Sequence, residues 1–125
     1  MARLERDPDI TGPLVQGFAP GGFSVDGAVY RAVLLTPQSA AFWEAPAPAV
    51  ISLEDLEQVL GLQPAPEFLL LGTGSRLIFP PRPFVRALEA RGIGLEAMDS
   101  RAAARTWGLL RAEERWIVAA LMPLD

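Results

Sequence analysis

Between Glu67 and Leu121, short apolar runs alternate with segments of helical period, and a glycine or a capping residue stands at most of the junctions. That rhythm limits the folds open to the chain, because a strand, a helix and a second strand in sequence join parallel neighbours through a crossover. Glu67 to Leu71 is a compact run of strand length leading into Gly72-Thr73-Gly74. A helix fits Arg82 to Ala90, with Pro83 in its first turn, Phe84 and Leu88 on one face and Gly92 as terminator. Ile93 to Met98 resumes as a strand. Asp99 or Ser100 then caps a helix reaching to about Arg111, with Ala103, Trp107 and Leu110 on one face, and Trp116 to Leu121 is the last strand.

The first third follows a different grammar. Phe23-Ser24-Val25 meets Asp26-Gly27, a dipeptide that tolerates the positive φ angles of a two-residue hairpin, which predicts Ala28 to Leu35 as the returning strand. That strand ends at Thr36-Pro37, where proline cannot donate to a ladder. Another short strand is expected around Ala41 to Glu44, followed by the stiff, extended stretch Ala45 to Ala49. Ser52 caps a helix with Asp55 in its first turn; Leu53, Leu56 and Leu60 follow at helical spacing and Gly61 stops it. The expected fold is α/β, a central mixed sheet flanked by helices, with an antiparallel hairpin at the amino-terminal side. No internal repeat or heptad pattern interrupts it, and 125 residues suffice for one domain over 1–125 without disulfides.

Composition excludes several kinds of chemistry. The chain has no histidine, cysteine, lysine or asparagine, so it lacks a base titrating near neutral pH, a thiolate and a Schiff-base amine. No enzymatic activity, cofactor or metal is expected. A carboxylate pair such as Glu96 with Asp99 is the remaining acid and base candidate, and the hydroxyls of Thr73, Ser75 and Ser100 have no visible activator. Glu113 and Glu114 are adjacent, which points them in different directions on a helix and makes a poor metal site. A net charge of −4 disfavours nucleic acid and anionic membrane surfaces. No run approaches the roughly 20 apolar residues of a membrane span. The first residues are too acidic for a targeting segment, so the expected compartment is the cytoplasm.

Two loops remain as candidates for a working surface. If the strands ending at Leu71 and Met98 are parallel neighbours, Gly72 to Arg76 and Asp99 to Arg101 lie together at the carboxyl edge of the sheet, where open α/β folds bind ligands. Gly72 and Gly74 would let a backbone approach a bound group, and the helix start at Ser100 would favour an anion. A dinucleotide fingerprint fails, since Leu77 stands where the third glycine belongs and Ile78-Phe79-Pro80-Pro81 delays the helix. The other reading is a tight structural turn with no ligand. Arg101 and Arg105, one turn apart beside a helix amino terminus, call for negative charge nearby. Glu96 and Asp99 would supply it in an internal network that Arg76 could join; an acidic ligand or partner would supply it in a binding site.

The segments GTGSR, RGIGLEAMDS, AAARTWGLL and ERWIVAALMP, with the Pro80-Pro81 pair, resemble the family of respiratory complex I assembly factor 3 and the adipogenesis-associated Mth-domain proteins. The resemblance covers about residues 10 to 123. Its signature positions fall on Gly72, Gly74, Arg76, Pro80, Gly92, Glu96, Met98, Ser100, Ala102, Arg105, Thr106, Leu110 and Arg115. Where many relatives carry an aromatic residue followed by asparagine, this chain has Trp107-Gly108. The resemblance implies a three-layer α/β fold around a mixed sheet and no established activity. It also implies protein partners, since the mitochondrial relative supports assembly of a respiratory complex with another assembly factor at the inner membrane. The expected function is therefore a non-catalytic interaction module; the alternative is a binder of an anionic small molecule using Gly72, Thr73, Gly74, Ser75, Arg76, Glu96, Ser100, Arg101, Arg105 and Thr106. Self-association through exposed apolar surface near Trp43 or Trp107 is a further possibility, although both tryptophans read as core residues, and the sequence leaves the oligomeric state open.

Overall fold

The structure, a computed structural model, describes residues 11–125. The acidic opening segment read above lies mostly outside the described residues. Five strands form a mixed sheet in the order β5-β4-β8-β6-β7, comprising β4 (Val33–Leu35), β5 (Ala40–Phe42), β6 (Phe68–Gly72), β7 (Gly94–Met98) and β8 (Val118–Leu121). β6 runs parallel to both β7 and β8, whereas β4 is antiparallel to β5 and β8. The mixed α/β expectation is met. A separate antiparallel sheet joins β1 (Val15–Ala19), β2 (Gly22–Val25) and β3 (Ala28–Tyr30).

The Asp26-Gly27 hairpin forms as its residues dictate, with φ of 51° and 85°. The returning strand does not run unbroken from Ala28 to Leu35. It bends at Arg31-Ala32, after which Val33–Leu35 leaves the small sheet and enters the large one as β4. No turn residue marks that bend; the strand changes sheets because both sheets offer it a partner, a tertiary effect that local propensity does not encode. The segment after Ser52 is also shorter than a regular helix. Leu53–Leu56 is a 3-10 turn closed by a capping box between Ser52 and Asp55, and only Glu57–Leu60 is α-helical (α1).

α2 (Arg82–Ala90) has the bounds its pattern predicts, and α3 spans Ser100–Ala112. Both end on the same hydrogen-bonded motif. Beyond α2, the Gly92 amide donates to Glu89 and the Ile93 amide to Leu88; beyond α3, Glu114 donates to Arg111 and Arg115 to Leu110. Glu113 and Glu114 therefore lie past the helix, with Glu114 at φ 60°.

The sheet is buried on both faces, and its strands divide their side chains between two cores. Leu34, Leu69, Leu71, Val118 and Ala120 pack with Leu56, Val59, Leu60, Phe84 and Leu88 on the side of α1 and α2. Val33, Leu35, Leu70, Ala119 and Leu121 pack with Ala103, Ala104 and Trp107 of α3 and with Phe23 and Val25 of the small sheet. This alternation is the period of a strand, and it produces three layers. Trp43 and Trp107 are both buried, at 6% and 0% exposure, so they are core residues, while Phe42 and Leu109 near them in the chain are exposed.

Candidate functional site

β6, β7 and β8 run in the same direction, so their carboxyl ends share one rim, where Gly72 is in register with both Met98 and Leu121. The three segments leaving that rim are bound to one another. The Thr73 amide donates to the Met98 carbonyl at 2.9 Å, the Ser100 amide to Gly74 at 2.8 Å and the Met122 amide to Gly72 at 2.9 Å. At their junction is the Ser100 hydroxyl, fully buried, which accepts from the Gly74 amide and donates to the Met122 carbonyl, each at 2.8 Å. A side chain at Gly72 would be 2.8 Å from Ser100 Cα and Oγ, so glycine there is what permits the approach of α3.

This arrangement determines what the rim can do chemically. A hydroxyl has one proton to donate, and Ser100 donates it to Met122, with no histidine in the chain to act as base. Thr73 is similarly engaged: its hydroxyl donates to the Arg76 carbonyl at 2.7 Å and accepts from the Ile78 amide at 3.0 Å. Asp99 caps α3 by accepting from the Ala102 amide at 2.9 Å, so a carboxylate of the chain itself occupies the helix start.

The loops expected to meet do meet, but their arginines diverge. Exposed Arg76 lines a cleft of about 310 Å³ with Thr73, Gly74, Ser75, Arg31 and Asp125. Arg101 lines another with Gly21, Gly22, Arg31 and Asp125, and its guanidinium stacks 4.8 Å from the centre of the Phe18 ring. Arg105 faces a third, beside Val15 to Phe18 of β1. Glu96 is exposed on the edge strand β7, and Thr106 donates to the Met98 sulfur at 3.5 Å. Among the described residues the ion pairs are Arg31–Asp125, Arg91–Glu57 and Arg115–Glu67; none joins Glu96 or Asp99 to Arg76, Arg101 or Arg105.

Arg31 and Asp125 were not visible as site residues in the sequence, where 94 positions separate them, yet their 2.9 Å pair forms a wall shared by two clefts. The Arg31 guanidinium holds the Asp125 carboxyl below its usual value. Among the described residues no group of three or more carboxylates is placed to hold a metal ion, and no helix is long and apolar enough to cross a membrane.

Three layers around a mixed sheet, with glycine-mediated contact at its rim, define an α/β domain of the Mth938-like fold. Residues 15–122 match the family described as protein of unknown function (DUF498/DUF598), and the chain belongs to that family. It is 34% identical over 121 residues to an uncharacterized protein of Rhodobacter capsulatus, across 95% of this chain and 92% of that one. It is 32% identical over 113 residues to NADH dehydrogenase (ubiquinone) 1 alpha subcomplex assembly factor 3 of Danio rerio, across 90% of this chain but 65% of that protein. The chain thus spans a little under two thirds of that relative's length. A crystal structure from Bordetella parapertussis superposes with a TM-score of 0.81 at 39% identity, covering 93% of this chain and 99% of that one. A solution structure from Bordetella pertussis, described as a Mth938-like domain, gives 0.80 at 32% identity, covering 99% and 94%. These similarities bear out the resemblance drawn from the motifs.

Proposed function

We propose that the chain is a non-catalytic protein-interaction module that assists assembly of a membrane-bound respiratory complex of the NADH dehydrogenase type. The observation that carries this reading is its 32% identity, over most of its length, to a relative named as an assembly factor for that complex. Composition supports it, since histidine, cysteine and lysine are all missing and the rim hydroxyls of Thr73 and Ser100 are engaged in internal hydrogen bonds. One fold hosts many functions, so the test is made in the cell. Deletion of the gene is expected to lower the amount of assembled NADH dehydrogenase, and affinity capture of the tagged chain is expected to recover assembly components. Unchanged complex together with no stable partner would reject the reading.

A second reading is favoured by the cleft at Arg76, whose guanidinium has no ion-pair partner among the described residues. There Thr73, Gly74, Ser75 and Arg76 would hold a small anion; of the other rim residues, Ser100 is engaged internally and Arg101 and Arg105 line separate clefts. Phosphate and short dicarboxylates are the probes. A thermal shift that Arg76→Ala removes would favour this reading, and no shift at millimolar probe would exclude it.

A further inference from the structure

The most exposed large apolar side chain among the described residues is Phe79, at 75%, and it stands at the edge of a groove that the rim chemistry does not use. The groove, about 400 Å³, is lined by Phe79, Pro80, Arg82, Val85, Arg86 and Glu89. Across α2 lies a second, more apolar groove of about 500 Å³, containing Pro83, Phe84 and Ala87 and bordered by Val50, itself 68% exposed. α2 is thus a ridge between one groove of mixed charged and apolar lining and one that is mostly apolar.

Charge specifies the occupant of the Phe79 groove. Arg82 and Arg86 are one turn apart, both exposed, and neither has an ion-pair partner among the described residues. Like charges at that spacing repel, and Arg82 adds its charge at the positive end of α2, whose first turn contains no acidic residue. Glu89 is the only acid in the lining, so the groove is locally positive on a chain of net charge −4. We infer that this groove docks an acidic segment of a partner protein, seating a bulky apolar side chain against Phe79 and Val85 while two carboxylates meet Arg82 and Arg86. Four residues of helix separate those arginines by roughly 6 Å along the axis, which suits acidic residues at i and i+4 of a helix or i and i+2 of a strand. The inference rests on the interaction-module reading and names the surface and the chemistry of the partner.

The test uses the intact chain against a random-peptide display library. Enriched peptides are expected to combine an apolar anchor with two acidic residues at one of those spacings, and to shift backbone resonances of residues 79–89. Binding should weaken about tenfold or more in the Arg82→Glu/Arg86→Glu variant, whose substitutions are at exposed positions, and should fall with added salt. Peptides with lysine in place of the acids should regain binding to that variant. No enrichment, enrichment without acidic bias, or shifts confined to the Gly72 to Arg76 rim would each overturn the inference. The proposed function is decided separately by gene deletion and affinity capture: a normal level of assembled complex together with no stable partner rejects that role, whatever the peptides do.

Discussion

A methyl group at Gly72 and one at Gly92 would test two different reasons for glycine. Gly92 has φ +75° and open space around a would-be Cβ, so Gly92→Ala is expected to cost only the backbone strain of a left-handed residue, about 1 kcal/mol. At Gly72 the added atom meets Ser100 and Leu121 at 3.0 Å or less, and parting α3 from β6 is expected to cost about 3 kcal/mol. Ser100→Ala should also destabilise by about 3 kcal/mol, because the Gly74 amide and the Met122 carbonyl lose their shared partner in a buried setting. Urea midpoints at unchanged slope, in buffer free of small anions, read all three. A loss that appears only with an anion present would instead assign these residues to a binding site. At this scale the sequence showed where small residues were needed. What fills the space beside Gly72 depends on Ser100, 28 positions away, and no spacing rule reveals it.

The elements whose ends carry their own signals were the most legible. Pro83 and Gly92 bracket α2 and Asp99 caps α3, so both helices follow from local chemistry. β3 and β4 read as one strand in the sequence because Val29 to Leu35 contains no breaker, and the divide comes from competition between two sheets. Other links between elements are long-range ion pairs. Arg115 donates to Glu67 from Nε at 3.0 Å and from Nη2 at 2.7 Å, and the Trp116 amide adds a bond at 3.3 Å, fixing the start of β6 beside the segment that enters β8. The hydrogen bonds from Arg115, with a smaller one from Trp116, hold the Glu67 carboxyl below its usual value. A carboxyl depressed in the folded state contributes stability that is present above its unfolded pKa of about 4.3 and is lost as pH falls through the lower folded value. Glu67→Gln is therefore expected to lower the urea midpoint at neutral pH and to flatten its decline below about pH 5. Some acid sensitivity should survive through Asp125, whose carboxyl is also held low by Arg31. An acid limb identical to that of the unaltered chain would show that the pair contributes nothing.

For the molecule as a whole, the alternation of side chains along β4, β6 and β8 couples the layers. Leu34 faces one core and Val33 and Leu35 the other; Leu70 is divided from Leu69 and Leu71 in the same way, as Ala119 is from Val118 and Ala120. Neither core can open without withdrawing strands from the other, so unfolding is expected to be a single transition. The three tryptophans reinforce the closure, each donating its indole N–H to a distant carbonyl: Trp43 to Leu121, Trp107 to Pro13 and Trp116 to Pro64. They also report on it from different places, because Trp43 is in the core beside α1 and α2 and Trp107 in the core beside α3. In Trp43→Phe the remaining buried signal comes from Trp107, and in Trp107→Phe it comes from Trp43. Each variant should be less stable by about 1 to 3 kcal/mol, since the carbonyl loses its donor. Within each, however, fluorescence and far-ultraviolet dichroism should give the same midpoint. If the Trp107 signal changes at lower denaturant than the dichroism, α3 and the small sheet open as a unit of their own, and the strands of the large sheet do not couple the two cores.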